Sequence, residues 1–210
     1  MRKTTILILI ACVMLSLGAV RTALSADVSA ANTSVWQIDP VHSAIVWSIS
    51  HNNGVGLVYG RFNTFHGTVI ADSADPANSS VEVTVDATSV DTAVPARDDD
   101  LRSDKYFNAA QFPALSFKST TVKAVAGHAG EYEISGDLTL LGVTKPLTLI
   151  CKQTATGQDR KGNPITGFTG GFSIKRSDFG MLTGIPGIGD EVSIMLAFEC
   201  DAVQPAAPAA

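Results

Sequence analysis

Charge is scarce in this 210-residue sequence: Asp, Glu, Lys and Arg make up 17% of it, and no cluster of basic side chains occurs. A nucleic-acid partner requires such a cluster, so the composition argues against one, and anionic membrane surface is disfavoured too. Cysteine (3) and tryptophan (2) are few. Catalytic fingerprints are missing as well: there is no GxSxG nucleophile elbow, no P-loop and no Rossmann fingerprint. His42, His51 and His66 are spaced nine and fifteen residues apart, which fits no compact ligand motif such as HxxxH. No catalytic residue, metal ion or cofactor is therefore assigned. The longest apolar run, Ile6–Val20, is shorter than the ~20 residues that span a bilayer, so stable membrane insertion is not expected.

That run has a meaning of its own. Arg2 and Lys3 precede it, and the small residues Ala23, Ser25 and Ala26 follow, which is the order of a secretory signal peptide over residues 1–26. A periplasmic or secreted location follows. Leu9-Ile10-Ala11-Cys12 also resembles a lipobox, a competing reading in which Cys12 carries lipid. Loss of residues 1–26 removes Arg2, Lys3 and Arg21 and leaves 12 basic against 20 acidic residues, a net charge of −8. Residues 27–34 read as a linker, 204–210 as a disordered tail, and 35–203 as one domain.

That domain is written in period two. Val81, Val83, Val85 and Ala87 share one face, with Glu82, Thr84 and Asp86 on the other. Tyr132, Ile134, Leu138 and Leu140 repeat the pattern, as do Leu147, Leu149 and Cys151, and then Val192, Ile194, Leu196, Phe198 and Cys200. Such alternation marks half-buried strands. Turn residues separate eight of them, at about 36–47, 60–71, 80–90, 115–125, 131–141, 146–156, 165–176 and 190–202. The predicted fold class is all-β: an eight-stranded antiparallel barrel in meander order, a size that can just hold one small ligand.

The stretch Arg97–Phe112 does not alternate and predicts a short helical insertion around residues 98–110. Its RDDDLRS segment places Asp98 or Asp99 as the helix cap, with the helix running toward Phe107 and the arginines paired with nearby acids. Consecutive aspartates fan out by ~100° each on a helix, which argues against a shared metal. Parity turns Arg176 inward, where a guanidinium needs a partner: Asp178, a carboxylate of residues 98–100, or a ligand head group. His51 falls in phase with Ile45, Trp47 and Ile49 and reads as inward. Cys151 and Cys200 sit on apolar faces of strands with another strand between them, so two buried thiols are favoured over a disulfide. Gly180–Glu191 reads as a mobile loop at the barrel mouth.

Phe117, Leu138, Leu140, Leu149, Phe168, Phe172, Ile174, Leu196 and Phe198 are the candidates to line the interior. The residues alone leave a filled core and a cavity both open. A wider pattern bears on that choice. Trp36-Gln37-Ile38-Asp39-Pro40-Val41-His42-Ser43 opens the domain, and Gly60-Arg61-Phe62 follows with Phe65 and Gly67. Then come Arg97-Asp98, Leu101-Arg102-Ser103, Phe107, Phe112-Pro113 and Phe117-Lys118-Ser119. Gly136-Asp137-Leu138-Thr139, Gly142-Val143-Thr144-Lys145-Pro146 and Arg176-Ser177-Asp178-Phe179-Gly180 complete the set. In this order the chain resembles the YceI-like family of bacterial secreted proteins.

The resemblance implies a lipocalin-like barrel whose apolar cavity binds a polyisoprenoid or similar amphiphilic lipid, such as an isoprenoid quinone, without catalysis. Trp47, His51, Phe62, Phe107, Phe117, Leu138, Leu149, Phe172, Arg176 and Phe198 are the candidate ligand-binding residues. The expected partner is a small lipid, carried or stored; a homodimer is left open. A stress-related interaction module with a filled barrel is the alternative reading, and a hydrolase or metal-dependent enzyme using Asp98–Asp100 or the histidines a lesser one. The chain departs from the family's Arg-Asp-x-His-Leu pattern at Asp100.

Overall fold

A computed structural model describes residues 32–203. The predicted signal peptide, the lipobox cysteine Cys12 and the predicted tail lie outside them. Strands dominate: β1 (Thr33–Ile38), β2 (Ala44–His51), β3 (Gly56–Phe62), β4 (Phe65–Asp72), β5 (Ser80–Asp86), β6 (Val90–Asp91), β7 (Ala114–Ala124), β8 (Glu131–Leu140), β9 (Val143–Gln158), β10 (Pro164–Lys175) and β11 (Ile188–Ala202). One short helix, α1 (Pro95–Arg102), interrupts them.

The strands form a closed antiparallel ring. Neighbours run β1-β4-β5-β7-β8-β9-β10-β11, and β11 returns to β1 through Trp36 opposite Ala202 and Ile38 opposite Cys200. Further along, β11 pairs instead with β2, and β2 with β3. So β1 and β2 are two halves of one barrel strand, β3 and β4 of the next, and eight staves close the barrel. Closure removes the unpaired edges that an open sheet would expose.

Both halved staves correct the expected strand limits. The first continues past residue 47 to His51 but breaks at Asp39–Ser43, where five residues face two of β11. Pro40 has no N–H for a ladder. The extra residues fold back instead: Asp39 N–H donates to the Glu199 carbonyl (2.9 Å), and Ser43 Oγ accepts from Glu199 N–H (3.0 Å). The second stave starts at Gly56, four residues earlier than expected, and kinks at Asn63-Thr64, whose N–H groups bond the Ser89 carbonyl and Oγ. A turn of 3-10 helix, Ala87–Ser89, likewise divides β5 from β6.

The helix also begins early. Pro95 occupies its first turn, where a missing N–H costs nothing, and Val94 stands at the cap with no side-chain bond. Asp98 and Asp99 are therefore not caps. Asp98 is buried and accepts from Thr92 N–H (2.8 Å) and Thr92 Oγ1 (2.5 Å), tying α1 to the end of β6. The three aspartates do fan out: Asp99 pairs with Arg102 (2.9 Å) and Asp100 with Lys105 (2.8 Å). Arg97 differs from the expected acid pairing, because its Nε and Nη2 donate to Thr92 Oγ1 and Thr92 O. Phe107 lies beyond the helix and packs edge-on against Phe62, ring centres 5.5 Å apart.

Two buried clusters hold the barrel. The larger joins Ile38, Ile45, Trp47, Phe62, Phe65, Val85, Val90 and Cys200 where the staves are halved. The smaller joins Val122, Ile134 and Leu149 across β7, β8 and β9. At the β8–β9 turn, Leu141 and Gly142 both have positive φ (53° and 72°), the geometry of a two-residue hairpin that matches strand twist.

Candidate functional site

The inward faces do not fill the barrel. Two chambers of about 310 Å³ and about 540 Å³ occupy it, and Ile45, Phe62, Leu115, Leu140, Ile174 and Ile194 wall both. They adjoin through these shared walls. The smaller chamber takes Phe117, Leu138, Leu149, Phe172 and Phe198 from the expected site residues; the larger takes Trp47, His51, Phe107 and Arg176; Phe62 belongs to both. The alternation of each strand explains the sorting, since every second side chain must face the interior.

The larger chamber is the more polar in its side-chain chemistry. Arg97, Asp100 and Tyr106 from the helical insertion join His51 and Arg176 around it. Arg97, Asp100 and Tyr106 were absent from the sequence-based set, as was Met181. Only the fold of residues 95–107 over the barrel end brings the insertion's side chains there. His51 is exposed at the mouth, not enclosed, because it is the last residue of β2 before the Asn52–Val55 turn.

Arg176 is buried with 2% of its surface exposed, but no carboxylate holds it. Its Nε donates to the Gly189 carbonyl (2.8 Å), Nη1 to Met181 (2.9 Å) and Nη2 to Ile188 (3.1 Å). The fork of a guanidinium suits several fixed acceptors at once. Asp190, which would compete for it, is engaged by Ser177 N–H (2.9 Å) and Ser177 Oγ (2.7 Å). Burial pulls the guanidinium below its ordinary value, while Tyr106 and Asp190 push the other way. The same three bonds fasten residues 181–189 to the barrel end. The loop is thus tied at both ends, at Met181 and at Ile188 and Gly189, with Phe179 and Met181 buried at its start.

Trp47 carries the most informative atom. Its indole is 8% exposed and lies against Gly60 across β2–β3, and its Nε1 has no hydrogen-bond partner. Among the described residues it is the one buried side-chain polar atom left so. Trp36, by contrast, donates to Ser34 Oγ (2.8 Å). A buried N–H without an acceptor costs about 1–3 kcal/mol; the ring belongs to the wall of the larger chamber, while the N–H itself is sealed from any water-sized atom.

Among the described residues, Cys151 and Cys200 are free thiols. Burial pushes Cys151 up to about 11 and Cys200 up to about 12. A thiol that stays protonated is a poor nucleophile. In the native protein, both should react with an aromatic disulfide reagent at pH 8 at least tenfold more slowly than in denaturant. Equal reaction rates in the two states would show the thiols to be accessible.

A second polar cluster sits at the barrel seam. His42 Nδ1 lies 2.6 Å from Asp39 Oδ2 and 3.7 Å from Glu199 Oε1. The bond to Asp39 raises the His42 pKa, reinforced by Glu199 and Asp201. Burial pushes Asp39 up, but bonds from His42 and from Val41 N–H outweigh it and hold the carboxyl below its ordinary value. A raised His contributes stability below its ordinary pKa and loses it as pH rises through the folded value. A lowered Asp contributes above its ordinary pKa and loses it as pH falls through the folded value. The pair therefore stabilises the seam most from roughly pH 4 to roughly pH 6.5. In melting experiments, the gap between wild type and His42→Ala should narrow as pH rises to about 9; a gap independent of pH would assign the seam no charge pairing.

Known proteins share this architecture. The YceI-like domain profile matches residues 36–200. Protein YceI of Escherichia coli O157:H7 and a UPF0312 protein of Pseudomonas aeruginosa (strain LESB58) are each 39% identical over 158 residues, covering 75% of this chain and 81% of theirs. Among solved structures, Burkholderia cenocepacia BcnA superposes with a TM-score of 0.69 at 26% identity, over 77% of this chain and 98% of its own. A polyisoprenoid-binding domain from Saccharophagus degradans, implicated in plant cell wall breakdown, shares the fold with a TM-score of 0.60 at 19% identity, over 80% and 98%. By residues, cavity and kinship together, the chain belongs to the YceI-like family.

Proposed function

We propose that the protein binds, and carries or stores, an amphiphilic isoprenoid lipid such as a polyprenyl compound or an isoprenoid quinone, in a periplasmic or secreted setting. The two adjoining apolar chambers support the reading, and the polyisoprenoid-binding domain of Saccharophagus degradans shares its fold. The observation that carries it is the apolar space inside the barrel, two adjoining chambers of about 310 Å³ and about 540 Å³. In this reading the head group lies in the larger chamber, near His51, Arg97, Asp100 and Tyr106, and the tail extends into the adjoining smaller one. Arg176 is spent on backbone carbonyls and supports the wall without gripping the head.

The role needs no catalysis. Asp98, Asp99 and Asp100 each have separate partners, so they do not converge on a reacting atom. Organic extraction of the purified protein followed by mass spectrometry should release a prenyl lipid. Added ubiquinone should quench tryptophan emission, and Trp47→Ala, which cuts away apolar wall of the larger chamber, should weaken its uptake about two- to tenfold. A clean extract together with no uptake of added quinone or prenyl lipid overturns the reading.

A further inference from the structure

Eleven large apolar side chains are prominently exposed among the described residues, and five of them fall in two short segments. Val55 (87% exposed), Leu57 (60%) and Tyr59 (59%) belong to the β2–β3 turn and β3; Leu182 (62%) and Ile185 (37%) belong to the loop before β11. These segments are joined: Asn53 N–H donates to the Gly187 carbonyl (3.1 Å), and His51 stands opposite Ile188. The same segments supply His51, Val58, Met181 and Ile188 to the wall of the larger chamber. The exposed apolar side chains are thus the outer lip of the cavity mouth.

Charge sharpens the picture. Residues 52–60 and 180–189 contain no Asp, Glu, Lys or Arg, in a chain whose net charge is −5. An acidic protein is repelled by anionic surfaces, and a lip without charge suits an uncharged apolar partner. Isolated apolar residues on a surface need no explanation, whereas a contiguous group beside an opening marks an interaction site. The loop's pinning by Arg176 presents the lip as a preformed surface.

We infer that this lip docks on a lipid bilayer, inserting Val55, Leu57, Tyr59, Leu182 and Ile185 into the interfacial layer and setting the cavity mouth against the membrane. Its continuity with an apolar cavity favours a bilayer over a protein partner, because ligand then enters without crossing water. No helix among the described residues is long and apolar enough to cross a membrane, and the contact is peripheral. This inference extends the lipid-carrier reading, but membrane docking is measured apart from uptake.

The test is flotation of the mature protein with phosphatidylcholine vesicles, with and without phosphatidylglycerol. The wild type should float with the neutral vesicles, insensitive to 0.5 M salt. Val55→Asp combined with Leu182→Asp should lower partitioning at least about tenfold, while uptake of a soluble short-chain quinone stays unchanged. Failure to float, flotation unaffected by the two substitutions, or flotation that requires phosphatidylglycerol and vanishes in salt overturns it. So does a concentration-dependent dimer, in vesicle-free sedimentation, that the same substitutions abolish, since the lip then covers a second copy. Loss of quinone uptake in a variant that still floats counts against the carrier reading alone.

Discussion

Arg176→Met is expected to lower stability by about 3–5 kcal/mol. Methionine keeps much of the apolar stem but removes all three donors. The carbonyls of Met181, Ile188 and Gly189 then lose their partner in a place where the side chain was 2% exposed. Each orphaned acceptor costs about 1–3 kcal/mol. Relief from burying a cation offsets part of the sum, which brings it into the stated range. For a domain of this size the melting temperature should fall by roughly 10 °C. Arg176→Lys should recover only part of the loss, because one ammonium cannot serve three carbonyls spread along a loop. Circular dichroism during chemical denaturation checks both variants. A loss under about 1 kcal/mol would mean that water reaches the carbonyls. Unchanged stability with lost quinone uptake would transfer Arg176 from the scaffold to the head group.

The guanidinium also marks the boundary of what the sequence discloses. Parity turns Arg176 inward and burial demands a partner, and both conclusions stand. A sequence offers carboxylates as partners, because side chains can be read from it. Backbone carbonyls cannot, since every residue has one and only the loop's path decides which converge. The same limit explains the halved staves. Alternation in β8 and β11 is clean and fixes their inward faces. The break at Asp39–Ser43 depends on Glu199, far away in sequence. At α1 a readable signal was available: Pro95 just inside a helix start. The acidic run three residues later is the louder signal in the sequence, but Asp98 spends its carboxylate on Thr92 and caps nothing.

The ten candidate site residues all stand in the cavity walls, because strand parity and wall position are nearly the same thing in a barrel. The chemistry of the larger chamber was less legible. Arg97, Asp100 and Tyr106 come from the one segment without alternation. The unpartnered Trp47 N–H is a property of packing: Trp36 has the same indole and finds Ser34 two residues away.

Trp47 also ties fold to binding through Gly60. A methyl group at Gly60 would lie 2.2 Å from Trp47 Cζ2 and 2.5 Å from Cε2, far inside contact distance. Gly60 has ordinary strand backbone, so Gly60→Ala meets the ring alone and no conformational penalty. The indole must leave its place, and the larger chamber is the open side. Overpacking of this kind costs about 1–3 kcal/mol. The displaced ring also takes ligand volume, so quinone uptake should fall at least about tenfold. Trp47→Leu placed on the Gly60→Ala background removes the collision. The stability cost of the pair should then be smaller than the sum of the single costs by about 1 kcal/mol or more. Strict additivity, or Gly60→Ala with native stability and native uptake, would mean that the indole shifts freely and that Trp47 does not define the chamber.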